Sequence, residues 1–163
     1  VQPYELLTAL PEASKQQFYR MAKFDYARFA GLFDLSPKKN LIIIGTSHSS
    51  AASEQQQAAY VERIIQQYGS DYDIFFKPHP ADSSSAGYPD RFEGLTLLPG
   101  QMPFEIFVWA LLDKIDMIGG YPSTTFFSVP LDKVGFLFAA DADGLVRPLN
   151  ILFRDAANVE WIQ

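Results

Sequence analysis

Five short apolar runs, each ended by glycine, proline or a polar turn and followed by helix-forming or turn residues, constrain most strongly how this chain can fold. They are Leu41 to Ile44, Asp73 to Phe76, Leu95 to Leu98, Lys114 to Ile118 and Val134 to Phe138. The first gives way to Gly45, the second to Lys77-Pro78-His79-Pro80, and the fourth to Gly119-Gly120. Runs this short and this rich in β-branched and aromatic residues suit buried strands, and proline ends a strand because it cannot donate to the ladder. Between them, Glu54 to Tyr68 places Ala58, Val61, Ile64, Ile65 and Tyr68 on one helical face and closes at Gly69. Phe104 to Leu112 reads as an apolar helix, and a short helix is expected from about Ser123. Ahead of the first strand, Phe18, Met21, Ala22, Phe29 and Leu32 predict one or two helices within Ser14 to Phe33, so residues 1–36 form a helical lead-in.

Strands alternating with helices imply an α/β fold: one Rossmann-like domain over residues 1–163, with five or six parallel strands and helices on both faces. Ligands of such sheets bind outside the carboxyl ends of the strands. The 48% hydrophobic and 15% aromatic content can bury a sizeable core. Thirteen basic residues against 19 acidic ones leave a net charge of −6, which argues against nucleic acid but leaves room for a mononucleotide held by a few placed groups. With no cysteine, disulfides and thiolate metal sites are excluded. The most apolar stretch, Ile106 to Leu112, is far too short to span a bilayer, and the chain from Val1 and Gln2 onward shows no signal-peptide pattern. A cytoplasmic location, peripheral to an inner membrane at most, is the expectation.

Several residues at the strand ends can carry chemistry. Lys77-Pro78-His79-Pro80 stiffens a strand end while projecting a cation and an imidazole, which suits a phosphate; the plainer reading is a proline-ended strand with a solvated lysine. Ser123 fits a helix N-cap, and its hydroxyl and that of Thr124 beside free amides would make an anion site, although a cap alone explains them too. Gly45-Thr46-Ser47-His48 has strand-to-helix geometry but neither a P-loop lysine nor a GxGxxG pattern. Glu105, in the first turn of its helix, is favoured there by the dipole and could equally grip a ribose diol. Asp141-Ala142-Asp143 reads as a solvated turn, and His48 and His79 are too few to define a metal site. Phe75, Phe76, Trp109, Phe126 and Phe127 read as core.

The order of these segments carries more information than any one of them. Gly45-Thr46-Ser47, Phe76-Lys77-Pro78-His79-Pro80, Pro103-Phe104-Glu105, Gly119-Gly120-Tyr121-Pro122-Ser123-Thr124 and Phe127-Ser128-Val129-Pro130 together resemble the C-terminal domain of bacterial sialyltransferases of glycosyltransferase family 80. The likeness runs from about Phe18 to the end. It implies one half of a two-domain GT-B fold that binds CMP-sialic acid, in an enzyme that transfers sialic acid to a galactoside-type glycan with inversion and without a metal or other cofactor. Lipooligosaccharide synthesis would be a natural setting.

By that resemblance His79 contacts and protonates the CMP phosphate as the catalytic residue, Ser123 and Thr124 hydrogen-bond the phosphate, and Glu105 holds the ribose. Gly45 and Thr46 flank the nucleotide, and Lys77 with Pro80 completes the basic segment. The family pair is usually Ser-Ser, so Thr124 adds a methyl. The Asp-Asp-Gly segment carrying the family's general base has no counterpart in these residues, so the acceptor domain lies outside them. The Lys-Pro-His-Pro segment and the later Ser/Thr pair also resemble glycerophosphate polymerases that use CDP-glycerol. A non-catalytic sugar-nucleotide-binding module is a third reading.

Overall fold

The computed structural model describes residues 3–163, so the reading of Val1 and Gln2 lies outside the described residues. Three helices, α1 (Pro3–Thr8), α2 (Glu12–Met21) and α3 (Tyr26–Phe33), precede the first strand. The chain then alternates: β1 (Lys39–Ile44), α4 (Ala51–Tyr68), β2 (Tyr72–Lys77), α5 (Tyr88–Arg91), β3 (Leu95–Leu97), α6 (Phe104–Leu111), β4 (Met117–Gly120), β5 (Val134–Leu137), α7 (Leu149–Phe153) and β6 (Glu160–Trp161). The six strands form one sheet in the order β3-β2-β1-β4-β5-β6, and every neighbouring pair is parallel. This is the Rossmann order, in which the chain winds outward from β1 to β3 and then crosses to β4 on the other side of β1.

Both faces of the sheet are covered, because Leu41 to Ile44 of β1 and Ile74 to Phe76 of β2 are unbroken apolar runs and a strand turns successive side chains to opposite faces. Ile42, Ile44 and Phe75 join one core with Phe29 and Phe33 of α3, Phe107 of α6 and Phe153 of α7. Leu41, Ile43, Ile74 and Phe76 join the other with Ala58, Val61 and Ile64 of α4 and Tyr88 of α5. The lead-in is therefore part of one layer of the sandwich: Phe33 stacks on Phe75 with ring centroids 4.3 Å apart.

Four differences from the sequence reading are local. Helix α4 starts at Ala51 rather than Glu54, because the Ser50 and Ser53 side chains cap each other's backbone reciprocally and nucleate a turn within a small, polar stretch. Strand β4 starts at Met117 rather than Lys114: residues Leu112–Lys114 form a 3₁₀ turn, and the Lys114 carbonyl accepts from the Asn40 side chain. The short helix expected at Ser123 is a five-residue 3₁₀ turn, Thr124–Ser128. Finally, Trp109 is only partly buried and Phe127 is 36% exposed, so neither is full core, unlike Phe75, Phe76 and Phe126. No helix among the described residues is long and apolar enough to cross a membrane.

The junction of β1 and β4 positions everything at the carboxyl edge. Gly120 ends β4 with φ of +126°, and a Cβ there would lie 2.2 Å from the Ile44 carbonyl oxygen. That same carbonyl accepts a hydrogen bond from the Tyr121 N–H at 2.9 Å. Only glycine allows this backbone angle with so close an approach. Gly120→Ala is expected to destabilise the fold by about 3 kcal/mol or more, read as a lowered urea midpoint; a change under about 0.5 kcal/mol would contradict the packing described.

Candidate nucleotide-binding crevice

A crevice of about 370 Å³ opens where β1, β2 and β4 end. Ile44 and Gly45 form its base, Lys77 to Pro80 one wall, Gln101 to Glu105 a second, and Ser123 to Thr125 a third. It sits at the point where the strand order reverses, the place doubly wound sheets use for ligands. Gly45, Lys77, His79, Pro80, Glu105, Ser123 and Thr124 all line it. Thr46 does not; its N–H donates to Gln57 Oε1 at 2.9 Å, behind the crevice.

His79 is exposed, and its ring is oriented by one bond: Nδ1 accepts from the Ala81 N–H at 3.1 Å. With Nδ1 accepting, the proton of the neutral ring lies on Nε2, which is then a donor for an anion. Glu105 stands in the first turn of α6, where the helix dipole favours a carboxylate. Its Oε1 accepts from the Thr125 hydroxyl at 3.2 Å. Ser123 caps the 3₁₀ turn by accepting from the Thr125 N–H at 3.3 Å. So short a turn carries little macrodipole, and hydroxyls rather than a helix end are what this wall offers. Thr124 is exposed at the crevice.

Lys77 behaves differently from the solvated cation that strand-end reasoning allows. It is only 4% exposed, and its Nζ donates to the carbonyls of Pro78 at 2.8 Å and Gly100 at 2.9 Å. The ammonium thus pins one wall to the next. Burial pushes its pKa down from 10.5 to about 8, against the pull of the Glu105 carboxylate.

Residues that sequence reasoning missed hold this shape. Gln57 of α4 is fully buried; its Oε1 takes the Thr46 N–H while its Nε2 donates to Asp82 Oδ2 and to the Tyr88 hydroxyl, each at 3.2 Å. Burial alone would raise the pKa of Asp82, but the bonds from Ser84, Ser85 and Gln57 outweigh it and hold the carboxyl below its usual value. The Asp82 N–H donates to the His79 carbonyl, which closes the turn that presents His79. Gln101 donates to the Pro80 carbonyl at 2.8 Å. The only advance signal for Gln57 was a polar residue next to Ala58 on the buried face of α4. Asp141 accepts from the Gly144 N–H in an exposed turn. The wider hollow beside it, about 460 Å³, is lined by Asp141, Asp143 and Asp155 with Arg154, a set that repels a phosphate.

Residues 50–152 match the family model described as Sialyltransferase PMO188. The chain belongs to that sialyltransferase family. The match agrees with the likeness to bacterial glycosyltransferase family 80, and solved structures repeat it. A sialyltransferase from Photobacterium damsela superposes with a TM-score of 0.76 at 21% identity, over 99% of this chain and 39% of that one. The alpha/beta-galactoside alpha-2,3-sialyltransferase of Photobacterium phosphoreum gives 0.72 at 26% identity, over 94% and 44%. A 2,6-sialyltransferase of a Photobacterium species, solved with CMP and lactose, gives 0.71 at 18% identity, over 97% and 36%. The chain thus spans less than half the length of each of these relatives. No curated protein matches it in sequence.

The Lys77 clamp gives a pH test. Between about 8 and 10.5 a lysine with a depressed folded pKa binds fewer protons folded than unfolded, so its contribution makes stability rise with pH across that window. In urea titrations from pH 8 to 10, wild type should gain stability relative to Lys77→Met. Curves that stay parallel would show that Lys77 is not buried as a cation.

Proposed function

We propose that the crevice holds the CMP moiety of a CMP-sialic acid donor, and that the complete protein transfers sialic acid to a galactoside-type acceptor with inversion. The observation that carries this reading is the meeting of His79, Glu105, Ser123 and Thr124, drawn from three separate segments, around one crevice at the switch point of the sheet. Support comes from the family match and from the related 2,6-sialyltransferase solved with CMP and lactose.

Each group has a task its geometry suits. The Nε2–H of His79 donates to a phosphate oxygen, and a hydrogen bond to an ion is worth roughly 1.5–3 kcal/mol. As the bond to the sugar breaks, charge grows on that phosphate, so a donor placed there stabilises the transition state more than the ground state. Thr124 adds a hydroxyl donor, Glu105 takes ribose hydroxyls, and the Lys77 clamp keeps the His79 and Gln101 walls at their spacing. No step in this scheme asks for a metal. The base that deprotonates the acceptor belongs to a part of the enzyme outside these residues, as does the acceptor site. Asp82, the carboxylate nearest to His79 in sequence, is committed to Gln57, Ser84 and Ser85 and is not free to act as that base.

Calorimetric titration with CMP, CDP-glycerol, UDP and GDP tests the nucleotide. CMP is expected to bind more tightly than UDP or GDP, and His79→Ala should weaken CMP at least about 10-fold while leaving cytidine nearly unchanged. Equal affinity for GDP, or equal losses for CMP and cytidine, would contradict the reading.

A further inference from the structure

The bonds between the third wall and α6 form a chain that neither the family motifs nor the capping pattern requires. Ser123 Oγ lies 3.3 Å from Thr125 Oγ1, which lies 3.2 Å from Glu105 Oε1. Counting protons gives the chain a direction. A carboxylate only accepts, so the single hydroxyl proton of Thr125 goes to Glu105, and the proton shared between Ser123 and Thr125 comes from Ser123. The ordinary cap of a 3₁₀ turn explains the bond from the Thr125 N–H to Ser123 Oγ. It does not explain a side chain reaching across to a carboxylate 20 residues earlier in the chain.

We propose that Thr125 is a positioning residue that fixes the Glu105 carboxylate for the ribose, so that it sets the preference for a ribonucleotide over a deoxyribonucleotide. This rests on the reading of the crevice as a CMP site. Glu105 has two oxygens, and a glutamate carries three side-chain torsions that must be frozen before both can meet a diol. One bond from Thr125 holds Oε1 and leaves Oε2 for ligand hydroxyls. Because Ser123 has only one proton, turning it toward a phosphate withdraws it from Thr125 without disturbing the Thr125 bond to Glu105. The Thr125 bond to Glu105 thus persists whichever way the Ser123 proton points.

The test is binding of CMP and 2′-deoxy-CMP to wild type, Thr125→Val, Thr125→Ala and Thr125→Ser. Valine keeps the shape of threonine and removes the hydroxyl, alanine removes both, and serine keeps the hydroxyl alone. In Thr125→Val and Thr125→Ala, CMP affinity should fall about 5- to 10-fold, the worth of about one hydrogen bond, while 2′-deoxy-CMP affinity falls less than about 2-fold. Thr125→Ser should restore the wild-type ratio of the two affinities. A residue that only supports the wall would weaken both nucleotides alike, and an unchanged ratio in the valine and alanine variants overturns the proposal. If wild type binds CMP and the ratio does not move, only this inference fails; if wild type binds no CMP, the crevice reading fails and takes the inference with it.

Discussion

The approach of Gly120 to the Ile44 carbonyl is the contact on which the rest of the site depends. It brings the ends of β1 and β4 together at the one place where the sheet changes winding direction, with Gly45 leaving on one side and Tyr121-Pro122-Ser123 on the other. Gly45 repeats the constraint from the opposite side, since a Cβ there would sit 2.5 Å from the Phe76 ring. Together these two glycines turn the edge of the sheet into a notch rather than a ridge. Ser123 and Thr124 hang from the segment that leaves that notch, facing His79 after β2 and Glu105 on α6 across the crevice.

A notch needs walls that keep their spacing, and buried polar groups supply it here. Gln57 ties the loop after β1 to the turn after β2, and Lys77 ties that turn to the loop ahead of α6. Such groups are costly to bury unless each is satisfied, and the donors and acceptor of Gln57 that are in use all find partners inside the protein. The same economy resolves an apparent conflict of charge. A net charge of −6 does not bar a phosphate from this crevice, because groups such as His79 and the wall hydroxyls would act on it within hydrogen-bonding distance, where placement outweighs the screened field of distant carboxylates.

Much of this was legible in the sequence, for reasons that differ by element. β1 and β2 were visible because their apolar runs are unbroken, and the helix α4 because its apolar face repeats over many turns. β6 was not, since two residues, Glu160 and Trp161, carry no period at all. The order of the short motifs led to His79, Glu105, Ser123 and Thr124, each a polar residue at a strand or helix end. Gln57, Thr125 and the clamp made by Lys77 were hidden for another reason. Their partners lie in segments distant in the chain, and only the folded sheet brings Thr46, Asp82, Glu105 and Gly100 within reach of them.

If the crevice at the carboxyl edge receives CMP, it does so in one orientation, with the phosphate toward His79 and the ribose toward Glu105. A crystal structure of the protein with CMP tests it most directly. The phosphate is expected within hydrogen-bonding distance of His79 Nε2 and the Thr124 hydroxyl, with the ribose hydroxyls on Glu105. Density for CMP in the hollow between Asp141 and Trp161, or in the crevice with its ribose turned away from Glu105, would contradict it.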